Sequence, residues 1–449
     1  MAAATSTGKS PARAAREAGV IGSGGAGFPA HVKLEKPVDT VIANGAECEP
    51  LLYGDQWLME ARAAEVIAGL KLILDDFESR GGKPVRGVVA VKEKYTAARA
   101  ALESAASGDG RISLLPLPNV YPSGDEHFLT YEATGRIVPE GGIPPMAGAL
   151  VHNVGTLSQI AQAARGEPVT GRVMTLGGAV ENPMIAEIPT GTPLSHLVAA
   201  MRPKVDDYVL LVNGPMMGRI ADDPEESTTK TMGGLFVLPM RHPHVMRMRR
   251  PLSTEMRISR AACEACRFCT DFCPRALLGH ALEPHKIVRV INYDKTDHAT
   301  VTSSWLCCEC GVCDLWACPM ALSPRVIYRA FKKKLKEAGI KNPHARNGLT
   351  AEYYRPFRGV PVERLVARLG LAEFERRPPV GEIAAPEKVV LRLDQSVGVP
   401  AEPCVSKGSR VNQGDLVADI PKGKLGARVH ASIEGTVTDI TGRTIVIQR

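Results

Sequence analysis

Short apolar runs alternate with a helical pattern along the first 120 residues. The runs predict strands at 38–43, 88–91 and 112–115, and a helical pattern fills 96–106 between the last two strands. Strands that are separated by a helix usually pair in parallel, and the helices then cover the sheet. The sequence therefore predicts a parallel α/β domain in the first part of the chain.

The middle of the chain has a different pattern. Residues 171–203 read as strand, turn, strand and helix, and two further strands are predicted at 208–212 and 235–238. A Gly-Pro-Met-Met-Gly segment at 214–218 lies between these two strands and predicts a turn or a loop near a partner. This mixture of strands around one helix indicates a second, smaller domain.

The last hundred residues change pattern again. Residues 343–385 are rich in Pro and Arg and are interpreted as a linker with one amphipathic stretch at 362–374. From 389 to 449, short strands are divided by Gly, Pro and Asp, which predicts a small all-β barrel.

Length and composition limit the class of protein. A chain of 449 residues predicts about three domains of ~150 residues each. It has no run of 18 apolar residues, which excludes a transmembrane helix, and residues 1–10 predict a loose tail rather than a secretory signal. A thiol-rich chain of this kind is expected in a reducing cytoplasm.

Nine of the 11 cysteines lie between 263 and 318, in two runs. The first run is Cys263-Glu-Ala-Cys266-Arg-Phe-Cys269-Thr-Asp-Phe-Cys273-Pro274, which has the bacterial ferredoxin spacing for a cubane iron–sulfur cluster. The second run, Cys307-Cys308-Glu-Cys310-Gly-Val-Cys313-Asp-Leu-Trp-Ala-Cys318-Pro319, has one extra residue before its last cysteine. Such clusters carry single electrons, so the pattern predicts an electron carrier. The irregular second run is expected to be the exit to a partner.

In two-cluster ferredoxins the distant cysteine of each run binds the cluster of the other run. The predicted ligands of one [4Fe–4S] cluster are Cys263, Cys266, Cys269 and Cys318, and those of the other are Cys273, Cys307, Cys310 and Cys313. Cys308 is ambiguous, whereas Cys48 and Cys404 stand alone and are interpreted as buried small hydrophobic residues. Zinc and disulfides are the alternatives, but zinc usually takes two separated cysteine pairs and disulfides need an oxidising compartment.

The net charge of +7 is concentrated beside the cysteine runs. The basic residues are Arg247, Arg249, Arg250, Arg257 and Arg260 before the runs, and Arg325, Arg329, Lys332, Lys333, Lys334 and Lys336 after them. Cations near an anionic cluster lower the cost of burying it, and the lysines also fit the solvated face of a helix at 326–335. A nucleic-acid site would need aromatic residues or a binding motif, and neither accompanies the charge.

A glycine-rich loop at 22–29 is the main candidate for binding a phosphorylated cofactor. It contains G-x-G-x-x-G, but a helix is predicted before it, at 11–18, and the first strand follows it. This order differs from an ordinary Rossmann fold, in which a strand precedes the loop. The first strand leads into Asn44-Gly45-Ala46-Glu47-Cys48-Glu49-Pro50, which places two carboxylates where α/β sheets bind ligands.

Four segments together resemble the flavin and NADH site of the NADH-binding subunit of respiratory complex I and its relatives. That family reads near G-x-G-G-A-G-F-P-x-x-x-K, N-x-x-E-x-E-P, Y-x-x-G-E-E and N-N-V-x-T, and this chain has similar segments at 22–33, 44–50, 121–126 and 152–156. The resemblance implies that FMN is held by Gly22, Gly24, Gly25, Gly27, Lys33, Asn44, Glu47, Tyr121, Asp125, Glu126, Asn153 and Thr156. It also implies that Glu49 faces the nicotinamide of NADH as the catalytic residue. The chain departs from the family at Ala46, Asp125 and His152, and Ala46 removes one hydrogen-bonding group from the flavin.

The predicted architecture is multidomain, mixed α/β and α+β. It has a Rossmann-like FMN/NADH-binding domain at 1–165, a domain at 166–245 that is similar to a β-grasp module, a helical ferredoxin-like domain with two [4Fe–4S] clusters at 250–342, and a barrel-sandwich hybrid β domain at 386–449. The last domain resembles biotinyl and lipoyl carriers, but no lysine occupies the usual motif. Lys422 and Lys424 are the nearest candidates.

The order of the domains selects between relatives. In the Rnf complex subunit the barrel precedes the flavin domain, whereas here it comes last, as in the cobalamin reductases of propanediol-utilisation microcompartments. That resemblance implies electron flow from NADH through FMN and two clusters to cobalamin or a corrinoid enzyme, in the microcompartment lumen. An iron–sulfur protein of the shell is a further partner that it implies. An Rnf-type subunit and an electron-transfer adaptor without NADH activity are the alternatives.

Overall fold

The computed structural model describes residues 8–293 and 298–449. The first part of the chain contains a four-stranded parallel sheet. The strands of this region are β1 Thr40–Gly45, β2 Arg86–Lys92, β3 Ile112–Leu117, β4 Val120–Tyr121 and β5 Ala149–Asn153. The sheet has the order β3-β2-β1-β5, and β4 lies outside it. The helices are α1 Pro11–Glu17, α2 Ala30–Lys33, α3 Gly54–Ala61, α4 Ala63–Gly81, α5 Thr96–Ala106, α6 Glu126–Thr134 and α7 Val154–Ala164, with a 3₁₀ turn at Pro144–Ala147. All pairs within the sheet are parallel, so that prediction is confirmed.

Helix α4 packs closely against α7 because Gly69 has no side chain. A Cβ atom at Gly69 would lie 2.0 Å from the carbonyl oxygen of Leu157 on α7. The neighbouring apolar residues Val66, Leu70 and Ile73 are fully buried between the helices and the sheet. The close approach of α4 and α7 therefore depends on glycine at this position.

A Gly69→Ala variant is expected to unfold more easily. The added methyl group must push α4 away from α7, and overpacking of this kind costs about 1–3 kcal/mol, against a helix-propensity gain of about 1 kcal/mol. Urea denaturation followed by circular dichroism should show a lower midpoint for this variant. Gly110→Ala is the matched control, because a Cβ atom at Gly110 would have no neighbour within 4 Å. An unchanged midpoint for Gly69→Ala would show that the two helices can separate at little cost.

The middle region is a five-stranded mixed sheet with the order β7-β6-β10-β8-β9. Its elements are β6 Gly171–Gly178, β7 Met184–Pro189, α8 Leu194–Met201, β8 Tyr208–Val212, β9 Arg219–Ile220 and β10 Gly234–Pro239. Only β10 and β6 pair in parallel within this sheet, and α8 buries Leu194, Leu197 and Met201 against it.

Short helices surround the two cysteine runs. They are α9 Pro243–Met248, α10 Leu252–Ala262, α11 Phe268–Asp271, α12 Pro274–Leu277, α13 Pro284–Tyr293, α14 His298–Thr302 and α15 Pro324–Glu337, with a 3₁₀ turn at Ser303–Leu306 and a π-helical turn at Val312–Trp316. Ile287, Ile327 and Tyr328 from α13 and α15 form the centre of a small apolar core between the runs.

The segment 343–385 connects two domains, as predicted, but it is packed against the rest of the protein. It contains β11 Val360–Pro361 and α16 Val362–Leu369, with 3₁₀ turns at Arg355–Arg358 and Ala372–Phe374. Strand β11 pairs with β4, and Leu365 is fully buried. The segment therefore ties the first domain to the cysteine region.

The C-terminal region is a small all-β unit, in agreement with the sequence pattern. Its strands are β12 Lys388–Arg392, β13 Glu402–Pro403, β14 Arg410–Val411, β15 Leu416–Asp419, β16 Val429–His430, β17 Gly435–Ile440 and β18 Thr444–Gln448. They form two sheets, β12-β18-β17-β14 and β13-β15-β16, around a core that includes Val389, Val437 and Ile445. In the described part of the chain, no helix is both long and apolar enough to cross a membrane.

Candidate functional site

The glycine loop lies against the start of α7. The backbone N–H of Ser23 donates to Thr156 Oγ1 at 2.9 Å, and a Cβ atom at Gly24 would lie 3.0 Å from Asn153 Nδ2. A Cβ atom at Gly25 would meet no atom within 4 Å, so the tip of the loop faces open space. A glycine loop beside a helix N-terminus presents backbone N–H groups that suit a phosphate, and this arrangement fits the phosphate of FMN. The structure thus brings the predicted Gly24, and its neighbour Ser23, together with Asn153 and Thr156.

Lys33 lies beside a second predicted residue, Glu126. Its Nζ atom is 2.8 Å from Glu126 Oε1 and 3.3 Å from the carbonyl oxygen of Val151 on β5. The lysine therefore joins α2 to the start of α6 and to the central sheet. The positive charge of Lys33 is therefore paired with the carboxylate of Glu126.

Hydrogen bonds join the acidic loop at 44–50 to the segment at 121–126. Asn44 Nδ2 donates to the carbonyl oxygen of Gly124 at 3.0 Å, and the N–H of Gly124 lies 3.3 Å from Cys48 Sγ. Cys48 is buried, as the sequence predicts, but the same interpretation is wrong for Cys404, which is exposed on the C-terminal barrel. Side chains of the first segment thus fix it to the backbone of the second segment at Gly124.

Glu49 is bound by the 214–218 loop of the middle domain. Its Oε1 atom accepts hydrogen bonds from the backbone N–H groups of Met216 and Met217, the latter at 3.1 Å. A Cβ atom at Gly214 would lie 1.9 Å from Glu49 Cγ, so glycine is required there. Burial raises the pKa of Glu49 to about 7, although the two N–H donors oppose this effect. The carboxyl group is therefore poised to change its charge near neutral pH.

Three charged residues at this site were not predicted from the sequence. Asp55 on α3 accepts a hydrogen bond from Asn153 Nδ2 at 2.6 Å, and its charge is opposed by Arg172 on β6. Lys92, at the end of β2, is only 2% exposed and lies close enough to Cys48 and Glu47 to interact with both. Its position at the carboxyl end of a strand was a usable signal. Arg172 gave no such signal, because it comes from the middle domain.

The pKa of the Glu47 carboxyl group is raised by its surroundings. Burial is the main cause that raises the pKa of Glu47 to about 8, and the charge of Asp55 acts in the same direction. The folded protein therefore keeps this proton to a higher pH than the unfolded chain, in which the pKa is about 4.5. Ionisation of Glu47 must destabilise the flavin-free protein as the pH rises through this interval.

A Glu47→Gln variant is expected to remove part of this pH dependence. The melting temperature of the flavin-free wild-type protein, relative to that of the variant, should fall between pH 5 and pH 8, because only the wild type loses this proton. Thermal melts across that range measure the difference, with Glu387→Gln at an exposed position as the control. Parallel curves for wild type and Glu47→Gln would contradict the raised pKa.

The structure brings the eight predicted cluster ligands together in two groups. Four thiols line the first cysteine cavity, and they belong to Cys263, Cys266, Cys269 and Cys318. Five line the second cysteine cavity, and they belong to Cys273, Cys307, Cys308, Cys310 and Cys313. Each cavity combines closely spaced cysteines of one run with the distant cysteine of the other run, three with one in the first cavity and four with one in the second. Four thiols are the donor set of a [4Fe–4S] cluster. Among residues 8–293 and 298–449, no three His, Cys, Asp or Glu residues are placed to hold a single metal ion.

A π-helical turn absorbs the extra residue of the second run. Residues Val312–Trp316 form this turn, and the N–H of Ala317 donates to the carbonyl oxygen of Val312 at 2.8 Å. A π turn has one more residue than an α turn, so the chain can return Cys318 to the first cavity despite the longer spacing. Cys313 and Cys318 both remain buried.

The two cavities differ in exposure, and the exit of electrons that was expected at the second run stays a prediction. Cys310, Cys313 and Cys273 of the second cavity are buried, whereas Cys266 of the first cavity is exposed. The hydroxyl of Tyr121 donates to the carbonyl oxygen of Cys310 at 2.6 Å. The second cavity therefore lies against the flavin domain, and the first lies nearer the surface.

An ion pair joins the same two regions. Arg275, which follows Cys273 and Pro274, contacts both carboxylate oxygens of Asp125 at 2.6 and 3.0 Å. Burial acts to raise the pKa of Asp125, but the Arg275 guanidinium holds it below its ordinary value. Asp125 also caps α6 by accepting from two backbone N–H groups. The carboxylate of Asp125, which was predicted to lie at the flavin, therefore bonds to Arg275 of the cysteine region.

Some of the basic residues near the runs face the second cavity. Arg325 lines it, pairs with the buried Asp314 at 3.1 Å and donates to the carbonyl oxygen of Met216. Lys332 donates to the carbonyl oxygen of Cys307 at 2.8 Å, whereas Lys333 is on the exposed face of α15. Arg325 and Lys332 therefore lie where cations are expected beside a cluster, whereas Lys333 lies on the solvated face of the helix.

Three family models match separate parts of the chain. The Nuo51 FMN-binding domain matches residues 15–162, the 4Fe-4S dicluster domain matches residues 262–323, and the RnfC barrel sandwich hybrid domain matches residues 372–449. The predicted multidomain α/β architecture, with an FMN-binding domain, a dicluster domain and a barrel-sandwich domain, is thereby confirmed.

Similar proteins match over different lengths. One component of the Na(+)-translocating ferredoxin:NAD(+) oxidoreductase complex of Acetobacterium woodii is 40% identical over 208 residues, which is 45% of this chain and 46% of that protein. A solved NAD+-reducing [NiFe]-hydrogenase in the H2-reduced state is 21% identical with a TM-score of 0.47, and covers 74% of this chain and 63% of its own.

Two proteins match nearly the whole chain. Cobalamin reductase PduS of Citrobacter freundii is 40% identical over 438 residues, and that of Salmonella typhimurium is 41% identical over the same length. Each match covers 97% of this chain and 95% of the relative. By this identity along its whole length, the chain belongs to the family of the cobalamin reductase PduS.

Proposed function

We propose that the protein is an oxidoreductase that passes electrons from NADH, through FMN and two [4Fe–4S] clusters, to cobalamin or to a corrinoid enzyme. The observation that carries this proposal is the direct contact between the flavin-site segments and the second cysteine cavity. Tyr121 and Asp125 each bond to that region, and Glu49 and Arg325 bond to the same residue, Met216. Electron transfer needs such short, packed connections, and the whole-length similarity to cobalamin reductases supports the acceptor.

The flavin-site residues and the cysteine cavities have separate roles in this proposal. When bound, FMN accepts two electrons as a hydride and releases them one at a time. The glycine loop, Asn153 and Thr156 hold it, with Lys33, Asn44, Glu47, Tyr121, Asp125 and Glu126 around it, and Glu49 orients the nicotinamide. The thiols of the two cysteine cavities hold one cluster each, and Cys308 is the thiol left over.

The burial of the cavities supports an order for the clusters. Electrons pass first to the cluster in the buried second cavity, which contacts the flavin domain through Tyr121. They leave from the cluster in the first cavity, where Cys266 is exposed. This route places the surface cluster where a corrinoid or a carrier protein can reach it.

The same proposal includes the type of the middle domain, the domain boundaries and the location of the protein. Residues 166–245 form a β-grasp domain, since a mixed five-stranded sheet packs against α8. The proposed domain boundaries are 1–165, 250–342 and 386–449, and the order of the three family matches at 15–162, 262–323 and 372–449 supports this order of domains. The location is the lumen of a bacterial microcompartment in the cytoplasm, with an iron–sulfur protein of the shell as a partner, and this rests on the domain order alone.

Anaerobic reconstitution with FMN, iron and sulfide tests the proposal. The flavin, iron and sulfide contents should correspond to one FMN and two cubane clusters, and NADH should bleach the flavin and then reduce cob(III)alamin. Absence of flavin bleaching would favour an electron-transfer adaptor without NADH activity. Bleaching without cobalamin reduction would retain the NADH step and exclude free cobalamin as the acceptor.

A further inference from the structure

A cavity of about 320 Å³ lies where three parts of the chain meet beside the glycine loop. Its size is within the range of about 300–1,000 Å³ that is typical of small-molecule sites. Its polar lining comes from the glycine loop, the middle domain and the C-terminal barrel, and includes Gly25, Arg219, Thr231, Arg392, Asp394 and Ser396. The lining residues from the middle domain and the barrel belong neither to the four flavin-site segments nor to the two cysteine cavities.

The barrel is fixed over the glycine loop at this point. The N–H of Val397 donates to the carbonyl oxygen of Gly27 at 3.1 Å, and Gln395 Oε1 accepts from the N–H of Lys230 at 2.9 Å. A Cβ atom at Gly27 would lie 3.1 Å from the carbonyl oxygen of Gln395. The segment 394–397 therefore forms a defined wall of the cavity.

Two ion pairs stand at the wall of the cavity. Arg392 Nε and Nη2 contact the two carboxylate oxygens of Asp394 at 2.9 and 3.0 Å within the barrel, and Arg219 pairs with Glu226 within the middle domain. Asp394 and, less strongly, Glu226 raise the pKa of Arg392, so the four charges form one cluster. Solvent-exposed pairs of this kind contribute little to stability, and a guanidinium has five N–H donors, so Arg392 has donors to spare for a ligand.

We propose that this cavity binds the adenosine monophosphate half of the dinucleotide that donates the hydride. Arg392 and Arg219 suit its phosphate, because guanidinium groups bind phosphate oxygens with paired hydrogen bonds. Asp394 suits the ribose, because a carboxylate accepts hydrogen bonds from the two ribose hydroxyls. The inference rests on the proposed function, and it makes the C-terminal barrel part of the substrate site rather than a separate docking module.

The test compares NADH with reduced nicotinamide mononucleotide, which lacks the adenosine monophosphate half. Loss of one charged contact in Arg392→Gln or Asp394→Asn is expected to raise KM for NADH about tenfold with little change in kcat. KM for the mononucleotide should stay at the wild-type value. Arg410→Gln, at an exposed position of the barrel outside the cavity, is the control and should leave both values unchanged. Equal shifts for the two donors, or no shift for either, would overturn the proposal.

A binding measurement separates failure of this inference from failure of the proposed function. If NADH does not reduce the flavin of the wild-type protein, the proposed function fails. Calorimetric titration with ADP-ribose still tests the cavity in that case. Binding to the wild type that weakens about tenfold in Arg392→Gln would support the site. No binding to the FMN-loaded wild-type protein, or equal binding to both proteins, would overturn it.

Discussion

A Cys313→Ser variant should still let NADH reduce the flavin, but it should transfer electrons to cob(III)alamin at least about 100-fold more slowly. Cys313 is one of the buried thiols of the second cysteine cavity, and a serine hydroxyl is a poor substitute for a thiolate ligand. Because changes even to groups outside the ligand shell cost about 10–100-fold, the loss of a ligand should cost at least as much. Anaerobic stopped-flow spectroscopy with NADH and cob(III)alamin measures the two steps separately.

The matching variant in the first cysteine cavity should behave differently. Cys266→Ser is expected to lose about one cubane of iron, but NADH should still reduce the cluster in the second cavity, because that cluster precedes it on the proposed route. Electron paramagnetic resonance of the NADH-reduced variant should show one cluster signal. If this variant blocked reduction of the second cluster, the order of the clusters would be reversed.

Cys404→Ser is the control for both cysteine variants. Cys404 is exposed on the C-terminal barrel and lines neither cysteine cavity. Its substitution should leave iron content and both rates unchanged. Wild-type transfer to cobalamin in Cys313→Ser would mean that the second cluster does not lie on the route.

Local spacing predicts that the closely spaced cysteines of each run share a centre, whereas the exchange of Cys273 and Cys318 between the runs was predicted from the pattern of two-cluster ferredoxins. Three cysteines at x2 spacing must turn around one centre, and a distant cysteine followed by proline must leave it. The strand at 208–212 and the helix at 96–106 also have their predicted bounds, since each is a continuous local pattern. Helix α4 was missed, although Val66, Leu70 and Ile73 follow a helical period that was available in the sequence.

The contacts between domains could not be predicted in this way. Glu49 meets Met216, Asp125 meets Arg275, and Arg172 approaches Asp55, and each pair is more than a hundred residues apart in the chain. No local pattern encodes such pairs, because they depend on how separate folded units dock.

The π turn of the second run could not be predicted from the sequence either. Spacing reveals one extra residue in the second run, but only the backbone shows that the residue is absorbed without exposing Cys313.

A Glu49→Gln variant should reduce the rate of flavin reduction by NADH about 10–100-fold at pH 8. Glutamine has the same shape, and its amide oxygen can still accept from the N–H groups of Met216 and Met217, so the 214–218 loop should stay in place. What is lost is the negative charge at the position that the family resemblance assigns to the nicotinamide. Removal of one charged hydrogen-bond partner costs about 1.5–3 kcal/mol, which corresponds to this loss of rate.

The raised pKa of Glu49 makes this prediction depend on pH. With a pKa of about 7, the wild-type carboxyl group is largely neutral at pH 6 and ionised at pH 8, whereas the variant is neutral at both. The ratio of the wild-type to the variant rate should therefore be small at pH 6 and should grow as the pH rises through 7. Glu373→Gln, at an exposed position, is the control, and both cluster signals should persist after reduction with dithionite. A constant ratio across this range would mean that the charge of Glu49 does not act in the NADH step, and equal rates would remove Glu49 from the site.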